Sequence, residues 1–349
     1  MNFEFLHAGD PRWDDFVNGV PHDFYHLSGY VRMSQKYDGG RAEAVLATEG
    51  QQYLFLPYLV RPIEMSHDAP GDQPLCDLSS PYGYPGPLLR GEQDFRRRSI
   101  EQWIEAMRRR GVISAFLRTH PLLSPDGETL ARYGDLVYRG DTITIDLELS
   151  LEEIWRQTRN DHRRNINRAR RQGLSAIVEG DLAHLDDFMH VYQDTMNRVD
   201  ASYYYYFPRE YFVELKQVLG DGLSLCLVRD ARQTVVAAGM FTECDRLMQF
   251  HLSGTRSEAL KLQPSKLMLD EVRRWAKARG NRLMHLGGGN GASRDNPLFR
   301  FKAGFSHLSQ PFHSWQLIFA PERYAELQSR RDALAERPRD ASFFPSYRA

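Results

Sequence analysis

Cysteine is scarce in this chain. It has three in 349 residues, Cys76, Cys226 and Cys244, far apart and with no CxxC spacing. That excludes a disulfide scaffold and a cysteine-rich zinc site, and the three read as reduced thiols. Long apolar runs are also missing: nothing approaches the roughly 18 apolar residues of a membrane-spanning helix. The opening residues MNFEFLHAGDPRW do not have the basic-then-apolar order of a secretory leader. A cytoplasmic protein without a transmembrane segment is expected. Net charge is nearly absent at −1, so no global pull draws the chain to nucleic acid and no DNA partner is expected. Any polyanion has to be held by a local patch. His184 and His190 have no ligand partners at metal spacing, so no metal site is expected. A GxSxG elbow and a persuasive Cys–His pair are missing too. With no obvious nucleophile, the sequence suits direct transfer between two bound substrates better than a covalent enzyme intermediate.

What is present is ordinary globular chemistry, with 42% apolar and 26% charged residues. A single core rarely grows past about 250–300 residues, so two domains are expected. Residues 42–48 and 52–60 alternate as two strands of a hairpin, and 95–110 carries Ile100, Trp103, Ile104 and Met107 on one helical face, stopped by Gly111. After a strand at 112–117, alternation at 142–149 closes the first lobe. Ser150 with Glu153 three residues on is a capping box that opens one long helix, ended by Gly173. Strands are expected at 174–179, 223–229, 235–243, 247–255 and 283–286, and Pro264 starts a helix that ends at Gly280. Residues 62–74 read as a polar loop. The order strand–strand–helix–Gly–strand occurs at 42–117 and again at 223–286, which suggests a duplicated α/β domain. The expected boundaries are 1–149, 150–320 and a charged tail at 321–349.

Four constellations carry chemistry. The first is LGGGNGASRDNPLFRFKAGF at 286–305. The glycines Gly287, Gly288 and Gly289 permit close approach of backbone to a ligand, and Phe299, Phe301 and Phe305 bracket Lys302. This is neither a P-loop nor a dinucleotide fingerprint. The lysine either snorkels to solvent or points a poorly hydrated ammonium at a developing oxyanion. Second, the turn SSPYGYPGP at 79–87 holds Tyr82 and Tyr84 on a stiff backbone, either as packed turn residues or as a substrate rim. Third, a helix carries Arg156, Arg159, Arg163, Arg164, Arg168, Arg170 and Arg171 against Asp161 alone. It is a solvated face or a phosphate-binding one. Fourth, Arg198 precedes four consecutive tyrosines at 203–206, of which Tyr203 is a candidate ligand contact.

FHLSGT, the Pro-led helix ending WAKARG, LMHLGGG and FRFKAGFS resemble the C-terminal lobe of the Fem-type aminoacyltransferases of the GNAT superfamily. The helix IWRQTRNDHRRNINRARRQG resembles the segment that opens that lobe, and SPYGYPGPL a turn of its shorter members. The likeness runs from about residue 25 to 320 and is strongest at 246–306. It implies an α/β fold of two GNAT-like lobes, each a mixed, mostly antiparallel sheet flanked by helices, with a cleft between them. It also implies N-acyl transfer of an aminoacyl group from aminoacyl-tRNA to an amine on a peptidoglycan precursor or other small acceptor. Phe301 and Lys302 match the family's catalytic Phe-Lys pair, and Lys36 and Arg198 its phosphate-binding lysine and arginine. Arg163, Arg164 and Arg168 are then the tRNA phosphate contacts. No tightly bound cofactor is implied. The chain departs from ordinary GNAT enzymes where their glycine-rich coenzyme A turn would stand, at 255–265. An acyl-CoA or acyl-carrier-protein donor is the alternative, and a non-catalytic nucleotide-sugar or glycan binder the second.

Overall fold

Apolar residues along the strands build the sheet of each unit, and helices with a single apolar face cover it. A computed structural model describes residues 1–64, 75–124, 127–334 and 343–349. It divides into Met1–Arg139 with Phe312–Ala349, and Gly140–Pro311. In the first unit, strands β1 (Asn2–His7), β2 (Arg41–Glu49), β3 (Gln52–Pro62), β4 (Cys76–Ser79), β5 (Leu88–Arg90) and β6 (Val112–Arg118) are joined by helices α1 (Pro11–Val17), α2 (Ser28–Asp38) and α3 (Gln93–Arg109). The short α4 (Gly127–Ala131) follows. The order is β1-β2-β3-β4-β6 and then the C-terminal part of β13 (Leu308–Ile318), with β5 also on β3. Among the described residues, the strand pairs within this unit are antiparallel except β4 with β6. The face of α3 bearing Ile100, Trp103 and Met107 packs on Leu56, Leu117 and Trp315.

The second unit begins within β7 (Asp135–Asp146) and continues through α5 (Leu151–Gln157), α6 (Asn160–Arg171), β8 (Ser175–Glu179), α7 (Leu185–Arg198) and α8 (Arg209–Leu219). Then come β9 (Leu223–Arg229), β10 (Val235–Cys244), β11 (Leu247–Thr255), α9 (Pro264–Ala278), β12 (Leu283–Gly288) and α10 (Pro297–Lys302). Its strand order is β7-β12-β11-β10-β9-β8, and β11 with β12 is the parallel pair. Both α3 and α9 lead through a positive-φ glycine, Gly111 at 72° and Gly280 at 84°, into a strand. The expected fold class holds in both units.

Three expectations change. The long helix opening the second lobe is two helices. The Ser150–Glu153 capping box is present, but Thr158 turns extended, with φ −67° and ψ 125°. Its hydroxyl bonds the Ile154 carbonyl at 2.9 Å, and the Arg159 amide bonds Gly304 O at 2.8 Å instead of continuing the helix. Leu151, Trp155, Thr158, His162, Ile166 and Ala169 recur at helical spacing across the break because both pieces bury the same side. The segment after 320 is not a free tail. Helix α11 (Pro321–Leu334) packs in the first unit, and buried Tyr347 reaches Asp77 Oδ2 at 3.0 Å and Ser114 Oγ at 2.8 Å. The units accordingly divide at 139/140 and 311/312 rather than at 149 and 320. Most of the polar loop expected at 62–74 lies outside the described residues.

The second unit is tied together by a buried charge. Asp270, 0% exposed, pairs with Arg170 at 2.6 Å, Arg274 at 3.2 Å and Arg273. Arg273 also donates to Thr158 Oγ1 at 2.7 Å and lies over Trp155 and Phe305. Burial alone would raise the Asp270 carboxyl, but the arginines outweigh it and hold it below the usual range. The stability this carboxylate adds is present above the ordinary carboxylate pKa and lost as pH falls below it. Removing one partner strands the others, so Asp270→Ala is expected to cost about 3–5 kcal/mol, and the paired change Asp270→Leu with Arg273→Met much less. Urea denaturation of both variants checks this, and equal losses would reject the reading.

Candidate active site

Strands β11 and β12 run parallel and pair at Leu247–Leu283, Met248–Met284 and Gln249–His285. A side-chain bond of 2.6 Å between His285 Nδ1 and Gln249 Oε1 fixes the last of these rungs. Beyond it, among the described residues, β11 runs to Thr255 and β12 to Gly288 without pairing to each other. On its other side β12 is irregular between His285 and Gly287, and Gly287 takes φ 71°.

Lys302 fills the mouth of this parting. Asn296 caps α10 by accepting from Leu298 N at 3.0 Å and Phe299 N at 3.3 Å, so the helix starts at Pro297. One helical turn later the Lys302 ammonium donates to Gly288 O on β12 at 2.7 Å and lies 5.7 Å from the ring centroid of Phe250 on β11. The residue is 9% exposed. Burial lowers its pKa to about 7, so near neutral pH it divides between ammonium and amine. One N–H is spent on Gly288, leaving two for a ligand.

The backbone behind Lys302 is held by a histidine. His162 of α6 donates from Nε2 to Phe301 O, 2.9 Å away, and its ring packs edge-on against Phe305. A side chain at Gly304 would put a Cβ 2.3 Å from His162 Nε2, so only glycine admits the imidazole. Burial lowers the His162 pKa, and the Phe301 carbonyl opposes this. His162 Nδ1 lies 3.1 Å from Asp161 Oδ2, and Asp161 also meets Arg159 and, at 3.6 Å, Lys266.

Arg159, His162, Lys266, Arg300 and Phe301, with Thr255 and Gln263 to Ser265, line a cavity of about 490 Å³ at the N-terminus of α9. Free amides at a helix start attract anions. Here Lys266, 7% exposed, adds a cation whose pKa burial lowers and Asp161 partly restores. In place of a glycine-rich turn, a 3₁₀ segment, Ser257–Leu262, leads to Gln263 at φ 54°.

The structure brings together Gly288, Phe301, Lys302 and Phe305. Gly289 is packed against Asn296 and Phe299 of the same loop. Arg198 braces the end of β11, donating to Thr255 O at 2.9 Å and Ser257 Oγ at 3.0 Å. Tyr203 is 90% exposed. On α6, Arg164 and Arg168 face outward, Arg168 donates to Lys261 O, and Arg163 bonds Asn160. Lys36, Tyr82 and Tyr84 belong to the first unit. Lys36 lies over Tyr37, the Tyr82 amide bonds Asp38, and Tyr84 packs on Tyr25 and Phe312. Sequence reasoning missed His162, Lys266 and Arg300. The signal for His162 was its place on the apolar stripe of an otherwise arginine-rich helix.

Residues 156–302 match the family model described as an acetyltransferase (GNAT) domain. No curated protein matches the chain. Among solved structures, the crystal structure of FemX is similar with TM-score 0.68, covering 93% of this chain and 99% of that one at 12% identity. L-PGS from Bacillus licheniformis gives 0.54, covering 88% and 92% at 13% identity. The C-terminal domain (DUF2156) of a putative lysylphosphatidylglycerol synthetase from Agrobacterium fabrum gives 0.53, covering 93% and 95% at 16% identity. At these identities the likeness is one of fold.

The buried lysine makes stability depend on pH. Its folded pKa of about 7 lies below its unfolded value, so from about pH 7 to the ordinary lysine pKa the unfolded chain binds the extra proton, and stability rises with pH. Below pH 7 the full cost of the buried ammonium remains. Lys302→Met removes this dependence. Urea midpoints between pH 6 and 9.5 are expected to rise less with pH in the variant than in the parent chain, and parallel curves would contradict the assignment.

Proposed function

We propose, from the match of residues 156–302 to a model of the acetyltransferase (GNAT) domain and the likeness of fold to FemX, that the chain is an acyltransferase that transfers an aminoacyl group from aminoacyl-tRNA to an amine, acting in the cytoplasm. The observation that carries this reading is Lys302 at the parting of β11 and β12, beside a cationic cavity at a helix N-terminus.

In this reading the terminal phosphates of the donor lie against the side chains of Arg159 and Lys266 at the start of α9, and the outward arginines Arg164 and Arg168 meet phosphates farther along the tRNA. The acceptor amine attacks the ester carbonyl, a C–N bond forms, and the carbonyl oxygen takes up negative charge. The Lys302 ammonium, with two N–H groups free of Gly288, stabilises that oxyanion. The C–O bond then breaks, and the proton lost by the amine passes to the leaving tRNA hydroxyl. This balance needs no protein nucleophile. The Phe250 ring, 5.7 Å from the ammonium, limits water beside the lysine. A peptidoglycan precursor or another small amine serves as acceptor.

A second reading, acyl-CoA as donor, is supported by the same cavity, because a helix N-terminus with a buried lysine also suits a pyrophosphate. The 3₁₀ segment at Ser257–Leu262 in place of a glycine-rich turn favours the first. Among the described residues no helix is long and apolar enough to cross a membrane.

Lys302→Met is expected to lower kcat by about 10²–10³ with donor KM nearly unchanged, and Lys266→Met to raise donor KM with a smaller loss of kcat. Filter binding of the purified chain to aminoacyl-tRNA, uncharged tRNA and acetyl-CoA identifies the donor. Salt-sensitive retention of aminoacyl-tRNA, weakened in Arg164→Gln/Arg168→Gln, is the expected result. Retention of acetyl-CoA alone would replace the first reading with the second, and unchanged kcat in Lys302→Met would remove the lysine from the chemistry.

A further inference from the structure

Most half-buried arginines of the first unit are neutralised. Arg61 and Arg348 share Asp77, Arg110 and Arg41 share Glu43, Arg98 meets Glu49 and Asp94, and Arg12 meets Glu4 and Asp10. Two half-buried arginines break that rule. Arg118, near the end of β6, and Arg139, in β7, both lie over the ring of Phe116, with guanidinium carbons 5.5 and 5.8 Å from its centroid. Among the described residues neither forms an ion pair with a carboxylate.

Each guanidinium is nevertheless held in place. Arg118 donates to Pro81 O at 3.2 Å, in the proline–tyrosine turn, and its amide bonds Ser80 Oγ at 2.8 Å. Arg139 Nε donates to Ser314 Oγ at 2.8 Å. The register explains the cluster. Phe116 and Arg118 are two apart on β6 and share a face of the sheet. Opposite them on β13 stand Gln316 and Ser314, and the Gln316 amide donates onward to Ser314 Oγ at 3.4 Å. Each arginine keeps most of its five N–H donors unspent.

Two like charges next to one ring, partly withdrawn from water, are unfavourable without a counter-ion. The ring's negative face offsets part of the desolvation but carries no net charge. Arg139 registers this: burial first, and then the charge of Arg118, lower its pKa. A fixed pair of planar forks with free donors is the arrangement that takes a carboxylate or phosphoryl group by two or more charge-assisted hydrogen bonds. We propose that Arg118 and Arg139, with Phe116 between them and Ser314 and Gln316 alongside, form a binding site for an oxyanionic group, a phosphate or a carboxylate of a ligand. The site stands on the first unit alone and does not depend on the acyl-transfer reading.

The test uses the full chain at fixed ionic strength, with sodium phosphate and sodium succinate as probes and sodium chloride as reference. Melting temperature and titration calorimetry are compared for the parent chain, the control Lys266→Met, and two further variants, Arg118→Gln/Arg139→Gln and Arg139→Lys, each built on Lys266→Met so that the cavity at α9 does not answer the phosphate probe. The parent and the Lys266→Met chain are expected to gain melting temperature with at least one probe. In the double glutamine variant that gain should vanish and affinity fall roughly tenfold or more, and Arg139→Lys, which keeps the charge but not the fork, should fall between. Without probe, the double variant is expected to melt at or above the Lys266→Met chain, because a repulsion has been removed. A response to phosphate alone identifies a phosphoryl ligand, and to succinate alone a carboxylate. A gain that persists in the double variant, no gain with either probe, or a ligand-free double variant melting well below the Lys266→Met chain would each overturn the proposal. The chemistry assigned to Lys302 would be unaffected by any of them.

Discussion

Parallel strands stay together only while their amides and carbonyls face each other, and in the second unit that condition ends at the Gln249–His285 rung. The remaining geometry of the candidate site follows from this parting. Polar backbone inside a protein must find partners, and part of the solution is the Lys302 ammonium bound to Gly288 O. The lysine in turn has to be carried by an element that returns to the strand ends, and α10, capped by Asn296, is that element. The cost is a buried cation with its pKa lowered to about 7. A purely structural filler would be apolar. A lysine kept near its titration point, with donors unspent and an open strand edge beside it, is instead suited to meet charge that appears only during a reaction.

Around that centre, rigidity comes from contacts that leave little slack. The His162 ring occupies the space that a side chain at Gly304 would take, and hydrogen-bonds the carbonyl of Phe301. Phe305, next to that glycine, packs on His162 and lies under Arg273, whose guanidinium is fixed by Asp270 and Thr158. The break at Thr158 is therefore part of the same construction. It frees the Arg159 amide for Gly304 O and puts the Arg159 side chain on the cavity wall. A continuous helix through 151–171 would have done neither.

Much of this was legible in the sequence, for identifiable reasons. The element order, the capping box at Ser150, the Pro264 helix start and the grouping of Lys302 with phenylalanines all depend on local composition and spacing. What was not legible depends on long-range placement. The heptad-like run through Thr158 has the same periodicity whether or not the helix breaks, because the break keeps one face buried. The segment after 320 reads as polar and charged, and only the fold puts the Tyr347 hydroxyl on Asp77 and Ser114. Lys266 looked like an unremarkable helix lysine, since nothing near it in sequence shows that Asp161 lies 3.6 Å away. The splitting of β11 from β12 has no signature at all, because both strands carry strand-like residues to their ends.

Arginine clusters were the most ambiguous signal in the sequence, and the structure separates them by what neutralises them. Arg170, Arg273 and Arg274 converge on one buried carboxylate, so their charge is spent on holding α6 to α9 and they have little left for a ligand. Arg97, Arg98 and Arg109 are matched along their own helix by Asp94, Glu101 and Glu105, which is how a solvated face is built. Arg118 and Arg139 belong to neither group. They were overlooked because they are 21 positions apart in the sequence and form no run, yet they share one aromatic ring and, among the described residues, pair with no carboxylate. In a chain with a net charge of only −1, a local excess of positive charge cannot come from composition. It has to be maintained by placement, against a desolvation cost that a bound anion would offset. For reading arginines in a neutral protein, the absence of a nearby acid is therefore more informative than the number of arginines in a row.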